Sequence, residues 1–255
     1  METNEVNALI EELTAHNRLR EDMLRGEMAL GNQIGAIARR LEAAGAKSDV
    51  EVGHHGVAGN GHEAGADLDL FFSTYGLRTA MESLTEQRRA PEKAMKKIVK
   101  RLPIWTRWAA GVRGLGELSV AQLVAEAGPL SRYATHSKLW KRFGLAPLKG
   151  RSACEWRKRG GLSVLEWEAL GYSPRRRSIV FLIGDNLLRA RSPYKAVYDA
   201  RKEVEAAKDP EATAMAIHRR AKRYMEKKLL RDMWTVWRRL EAGLPAGGGV
   251  AAEAA

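Results

Sequence analysis

The sequence predicts an all-α protein, with an N-terminal helical arm followed by a C-terminal multi-helix domain. Apolar residues recur at spacings of three and four along most of the chain, no strand-length alternation is seen, and glycine or proline separates the segments. These features divide the 255 residues into an N-terminal helix (1–48), a linker (49–66), a helical connector (67–103), a main domain (104–241) and a tail (242–255). We expect the tail to be disordered.

The N-terminal helix has an apolar seam at Leu30, Ile34, Ile37 and Leu41, with the spacing of coiled-coil a and d positions. Polar residues interrupt the middle of the helix, so the sequence does not establish a continuous coiled coil. Three arrangements are open: the helix pairs with a second copy to form a homodimer, it folds back on the downstream helix, or it packs only within its own chain.

The linker is rich in glycine and has no periodicity, which is typical of a flexible segment. Its histidines, His54, His55 and His62, are interpreted as solvated loop residues, and we predict no metal site, because a glycine-rich segment cannot fix ligand geometry. In the connector that follows, the apolar spacing predicts one packing face, and Pro91 indicates a helix break or the start of a new helix. Its apolar residues are Leu68, Phe71, Phe72, Tyr75, Leu77, Met81 and Leu84.

The main domain opens with the stretch WAAGVRGLGELSVAQLVAEAGPL, residues 108–130. Gly114, Leu115 and Gly116 form a turn that opens onto a helix, where free backbone N–H groups and the positive end of the helix dipole favour a phosphate. The missing Cβ of a glycine also lets a ligand approach the backbone. The spacing indicates a helix-hairpin-helix, a motif that binds nucleic-acid backbone; the alternative is an ordinary glycine turn between packed helices.

Two further basic segments are candidate phosphate contacts. A loop within residues 148–161 is almost free of acids and carries Lys149, Arg151, Arg157, Lys158 and Arg159. Ser173 and Pro174 begin a helix whose first turn contains Arg175, Arg176 and Arg177. Cations at that end oppose the helix dipole, so an anionic partner would relieve the repulsion. Asp185, further along, is either a catalytic carboxylate or, as is commoner, a paired or solvent-facing one.

The rest of the domain is predicted as two helices, at about 192–207 and 211–240. The second has an apolar stripe wide enough to dock on a domain, and a basic opposite side.

No apolar run approaches the ~20 residues that span a bilayer, and the acidic N-terminus lacks a signal-peptide pattern. The single cysteine, Cys154, excludes an internal disulfide. We therefore expect a cytoplasmic protein without a membrane partner.

The formal net charge of +12 favours a polyanionic partner, because binding to phosphates releases their counterions. DNA, through its phosphate backbone, is the expected partner, and structured RNA is the alternative ligand.

Residues 111–239 resemble the C-terminal transposase domain of the insertion-sequence one-ten family, also grouped under one-sixteen and nine-oh-two. Six segments match in order: GVRGLGELSVAQLVAEAG, LSRYATHSKLWKRFGLAP, GRSACEWRKRGG, SPRRRSIVFLIGDNLL, RSPYKAVYDARKE and HRRAKRYMEKKLLRDMWTVWR. The resemblance implies a helical domain acting in DNA transposition or recombination. It also implies Ser152 as the serine that attacks DNA, although this chain has Ser152-Ala153-Cys154 where the family usually has two small residues and a glycine.

Full-length members of that family carry a RuvC-like N-terminal domain with an acidic metal-binding tetrad. The first 100 residues here show helical patterns instead, so no cofactor is evident, and a divalent metal is implied only if a separate catalytic domain supplies it. Two functions therefore stay open: a transposase-type DNA-binding protein, which need not be an active enzyme alone, and a non-catalytic DNA- or RNA-binding accessory protein of a phage or mobile element. A purely structural assembly protein is least favoured, since it leaves the basic charge unexplained.

Overall fold

The protein is all-helical, as the sequence predicts. The computed structural model describes residues 3–43, 64–147, 163–169 and 171–247, and no β-strand occurs within these ranges. Its α-helices are α1 (Thr3–Ala43), α2 (Ala64–Val99), α3 (Pro103–Arg107), α4 (Glu117–Ala127), α5 (His136–Arg142), α6 (Val164–Ala169), α7 (Pro174–Arg189), α8 (Tyr194–Lys208) and α9 (Ala214–Glu241). Short 3-10 turns lie at Ala109–Gly111 and Leu130–Arg132.

The helices form two compact units. The larger unit contains residues 1–15 and 94–255, and the smaller contains residues 16–93. Both α1 and α2 contribute residues to each unit. The predicted domain boundaries divide the chain differently, by sequence composition, and they stay a prediction.

The larger unit is built around α9. This helix packs against α3, α5, α7, α8 and the turn Leu130–Arg132, and its buried positions follow the predicted spacing: Ala221, Met225, Leu229, Met233, Val236 and Trp237. Helix α4 packs on α7 in the same unit. The first residues of α1 join this core, where Leu9, Ile10 and Leu13 are buried and the Thr14 hydroxyl donates to the Ala125 carbonyl at 3.4 Å.

The smaller unit is a pair of helices, residues 16–43 of α1 against residues 64–93 of α2. They approach closely at Gly26, where an added Cβ would lie 2.8 Å from Cδ1 of Leu84. Arg88 bonds Glu27 at 2.8 Å and Glu92 at 2.6 Å, and Arg20 bonds Glu92 at 2.9 Å. Of the alternatives for the N-terminal helix, these contacts show α1 folding back on the downstream helix; homodimerisation stays a prediction.

Two details of α2 differ from the sequence interpretation. The helix continues through Pro91, which is buried, and the neighbouring Arg88–Glu92 pair supports the turn that lacks a backbone N–H donor. Phe71, Phe72 and Tyr75 are 47–71% exposed and contact one another, rather than forming a packing face. The reason is register, because the partly or fully buried stripe runs through Thr74, Leu77, Met81 and Leu84.

Leu13→Ala tests whether the first fifteen residues belong to the core of the larger unit. Leu13 is fully buried, so truncation should reduce the free energy of unfolding by about 2–5 kcal/mol, measured by chemical denaturation. Leu19→Ala is the matched control on the same helix, because Leu19 is 47% exposed, and it should cost less than about 1 kcal/mol. Equal effects of the two substitutions would contradict the assignment.

Candidate nucleic-acid interface

The glycine turn, residues 112–116, connects the 3-10 turn Ala109–Gly111 to α4. Val112 and Leu115 are buried, and the Leu115 amide donates to the Val112 carbonyl at 3.0 Å. Gly114 takes a left-handed conformation with φ 86°, which only glycine adopts without strain. Gly116 is extended and is the N-cap of α4. The turn is therefore formed as predicted, but α3 before it has five residues, and the helix-hairpin-helix assignment stays a prediction.

Gly114 packs against the end of α7. An added Cβ would lie 2.7 Å from Cβ of Ala190, 3.0 Å from the carbonyl oxygen of Asn186 and 3.2 Å from Cα of Leu187. The missing side chain thus allows close contact with α7, whereas the sequence interpretation reserved that space for a ligand. Gly116 is exposed, and nothing lies within 4 Å of its Cβ position. An approaching backbone would therefore have room at Gly116.

Three arginines surround this contact. Arg113 directly precedes Gly114, and Arg189 and Arg191 flank Ala190, so all three side chains start from neighbouring backbone positions. All three are exposed, and none forms an ion pair with a carboxylate in the part of the chain that the structure describes. We call Arg113, Arg189 and Arg191 the arginine triad. Local sequence pattern does not reveal it, because Arg113 and Arg189 are 76 positions apart along the chain and meet only when α7 packs on the glycine turn.

Arg191 has an unusual backbone conformation. Its φ of 51° is the one positive value among the non-glycine residues that the structure describes. It ends α7, where the Ser192 amide donates to the Leu187 carbonyl at 3.0 Å and the Arg191 amide to the Leu188 carbonyl at 3.1 Å. Glycine is the usual residue at such a helix end, and a side chain there costs about 1 kcal/mol. An exposed arginine is thus held where glycine would be more stable.

The first turn of α4 directly follows the glycine turn. Gly116 offers no capping side chain, and no side-chain hydrogen bond caps this end of the helix. Glu117, in the first turn, is paired with Lys100 at 2.8 Å. The backbone amides at the start of α4 carry the positive end of the helix dipole. Together with the arginine triad, they make this surface strongly attractive to an anion.

Arg175, Arg176 and Arg177 lie at the start of α7, which begins at Pro174 with Ser173 as its N-cap, as predicted. All three pair with carboxylates of the same chain. Arg175 and Arg176 bond the two carboxylate oxygens of Glu126 at 2.6 and 3.0 Å. Arg177 forms an ion pair with Glu226 at 2.8 Å. These carboxylates supply the negative charge that the sequence analysis assigned to DNA. The role of these three arginines as DNA contacts stays a prediction.

The pair Arg177–Glu226 belongs to a buried charge cluster between α7 and α9. Lys222, 1% exposed, pairs with Asp185, and its Nζ lies 3.2 Å from the centroid of the Phe181 ring. Asp185 is therefore a paired carboxylate, the commoner of the two roles considered for it. Glu226 is fully buried, and burial raises its pKa to about 7 despite the opposing charges of Arg177 and Lys222.

The remaining predicted site residues lie outside the described residues: Lys149, Arg151, Ser152, Arg157, Lys158 and Arg159. The segment before them is held by Arg223, whose guanidinium donates to the Leu145 carbonyl at 2.8 Å. The linker histidines also lie outside the described residues. Within the described ranges, no group of three metal-ligating side chains occurs, and no helix has the length and apolar character needed to cross a membrane.

Comparison with known proteins gives no match to any family model, curated protein or solved structure.

Gly114→Ala and Gly116→Ala separate packing from ligand access at the glycine turn. Gly114→Ala should lower the free energy of unfolding by more than about 2 kcal/mol, because it combines a left-handed backbone with a steric clash against α7. Gly116→Ala should change it by less than about 1 kcal/mol, since its conformation suits any residue and its surroundings are open. Thermal unfolding followed by circular dichroism measures both, and similar values would contradict the packing role of Gly114.

Glu226→Gln tests the buried carboxyl. Because the pKa of Glu226 is raised from its ordinary 4.5 to about 7, its protonated form is favoured in the folded state. That stability is fully present below pH 4.5 and is lost progressively as pH rises to about 7. The variant should therefore gain stability relative to wild type across this window, by about 3 kcal/mol in all.

The measurement is denaturant unfolding of both proteins at several pH values from 4.5 to 8. Glu203→Gln, an exposed position on α8, is the matched control for the loss of one carboxylate. A stability difference between wild type and Glu226→Gln that shrinks as pH rises would contradict the raised pKa.

Proposed function

We propose that this chain is a DNA-binding protein of transposase type, which holds DNA by its phosphate backbone at the glycine turn. The observation that carries the proposal is the arginine triad. Its three exposed arginines, without carboxylate partners among the described residues, flank the contact between Gly114 and Ala190, and α4 begins three residues after Gly114. Phosphate contacts of this kind position a protein on DNA without reading its sequence.

The distribution of ion pairs favours this surface over the other basic segments. Arg175, Arg176 and Arg177 are occupied by Glu126 and Glu226. Arg20 and Arg88 are occupied by Glu27 and Glu92. A phosphate would have to compete with carboxylates already in place at those positions, and at the arginine triad it would not.

Arg191 supports the same conclusion independently. Strained backbone conformations persist where the surrounding structure imposes them, and they cluster at functional sites. Glycine in place of Arg191 would relieve the strain but remove one of the three cations. A phosphate ligand gives a reason for arginine at this position.

The resemblance of residues 111–239 to the transposase domain supports DNA rather than another polyanion, and transposition or recombination as the process served. Structured RNA is the alternative ligand, since the same phosphates would satisfy the arginine triad. The DNA and RNA alternatives are distinguished by comparing the affinity of the protein for a duplex DNA and for a duplex RNA of the same length and sequence.

The arginine triad is tested by the triple variant Arg113→Gln, Arg189→Gln and Arg191→Gln. We expect weaker binding to a fluorescent 20-base-pair DNA, because phosphate contacts are lost. A plot of the logarithm of the association constant against that of the salt concentration should become shallower by about two to three, since each phosphate contact contributes roughly 0.9 to the slope. Fluorescence anisotropy at four salt concentrations gives this slope.

The control variant carries Lys202→Gln, Lys208→Gln and Arg219→Gln, three exposed cations on α8 and α9, and has the same net charge. If both triple variants lose equal affinity, bulk charge rather than the arginine triad is responsible. Arg191→Gly adds a second readout, since it should raise the melting temperature while lowering DNA affinity. A rise in melting temperature with unchanged affinity would remove Arg191 from the interface.

A further inference from the structure

A group of aromatic rings lies where α5 packs on α9. The imidazole of His136 is 4.5 Å, centroid to centroid, from the indole of Trp140 and 5.9 Å from that of Trp234, and it meets both edge to face. All three side chains are partly exposed. We call these three residues the aromatic surface.

The two indoles are held in place by hydrogen bonds to the backbone. Trp140 Nε1 donates to the Lys227 carbonyl at 2.9 Å, and Trp234 Nε1 donates to the Tyr133 carbonyl at 2.9 Å. Their polar atoms are therefore satisfied by the protein, and what they offer to a ligand is ring surface. Fixed rings lose little conformational freedom when another flat group stacks on them.

Cations surround the aromatic surface. Lys227 Nζ lies 5.1 Å from the Trp140 ring centroid, and the Arg238 guanidinium lies 6.0 Å from that of Trp234. Lys138, Lys141 and Arg231 are exposed on the same two helices. Helix α5 contains no acidic residue. Asp232 of α9 is buried and accepts a hydrogen bond from Tyr194. It also pairs with Lys228 at 3.3 Å and, at the longer distance of 3.8 Å, with Arg231.

Packing alone accounts for part of this arrangement, because the two indoles fasten α5 to α9. It does not account for the concentration of cations beside partly exposed rings. Flat rings flanked by positive charge are the combination that binds unpaired nucleic-acid strands, in which bases stack on the rings and phosphates contact the cations.

We propose that the aromatic surface is a second nucleic-acid site, which stacks an unpaired base of a single strand while Lys227 and Arg231 contact the adjacent phosphates. The proposal deepens the proposed function in that its ligand is also nucleic acid. It concerns different residues and a single strand rather than a duplex, so either proposal can fail while the other holds. Burial and the charge of Arg231 lower the pKa of His136, which favours the neutral form of its ring.

The experiment compares two fluorescent 12-mers with equal numbers of phosphates: an oligodeoxyadenylate and an abasic strand that lacks bases. Wild-type protein should bind the adenylate at least about tenfold more tightly, because stacking on aromatic side chains strengthens binding by about 5- to 150-fold per base. Fluorescence anisotropy at fixed salt gives both dissociation constants. Equal affinities for the two strands would overturn the proposal.

Variants assign the effect to named residues. Trp140→Leu and His136→Ala should each reduce the adenylate-to-abasic affinity ratio several-fold, whereas Trp105→Leu, a partly buried indole on α3, is the matched control and should preserve it. Lys227→Gln combined with Arg231→Gln should weaken binding to both strands to a similar extent. If Trp140→Leu unfolds, as judged by circular dichroism, Trp140→Phe and His136→Ala decide the question. An unchanged ratio in those folded variants would refute the assignment.

An oligoriboadenylate of the same length identifies the source of the strand. Similar affinity for the ribose and deoxyribose strands supports stacking that ignores the sugar, and tighter binding of the ribose strand supports an RNA ligand at the same rings. Failure of the proposed function would look different. Duplex DNA would then not bind at all, or would bind without dependence on the arginine triad, while discrimination between adenylate and abasic strands persisted.

Discussion

Two buried carboxylates hold the start of α7 in place. Glu126 on α4 accepts from both Arg175 and Arg176, and Glu226 on α9 forms an ion pair with Arg177. A buried carboxylate without a cation is costly, and cations in the first turn of a helix oppose its dipole. Each pair therefore offsets part of the penalty of its members, although at Glu226 the cost of burial still exceeds the gain, as its raised pKa shows. The pairing joins α4, α7 and α9. The other end of the same helix, α7, packs against the glycine turn.

This pairing changes what the net charge of +12 means. The formal charge counts every lysine and arginine equally, yet many of them neutralise carboxylates of the same chain. Among the described residues, exposed cations without a carboxylate partner include the arginine triad, Lys138 and Lys141 on α5, and Lys202 and Lys208 on α8. Net charge alone therefore does not identify a binding surface, and the arginine triad differs from the other exposed cations by its place beside the glycine turn.

Sequence patterns predicted the helices well, because spacings of three and four and the breaks at glycine and proline are local properties. The turn at Gly114 and the start of α7 at Ser173 and Pro174 followed from the same local rules. Long-range partners could not be predicted in this way. Glu126 and Arg175 are 49 positions apart, and the arginine triad exists only after α7 docks. The register of α2, which exposes Phe71 and Phe72, likewise depends on α1.

The place of α9 in the chain has a consequence for biosynthesis. Residues 1–15 and α3, α5, α7 and α8 pack in one unit with a helix that is translated after them. As the chain leaves the ribosome, Leu9, Ile10 and Leu13 emerge more than 200 residues before α9 is complete. At ordinary elongation rates of about 5–20 residues per second, these apolar side chains are synthesised at least about ten seconds before α9 is available to complete their unit. All residues of the smaller unit, 16–93, are by contrast synthesised before α9 begins.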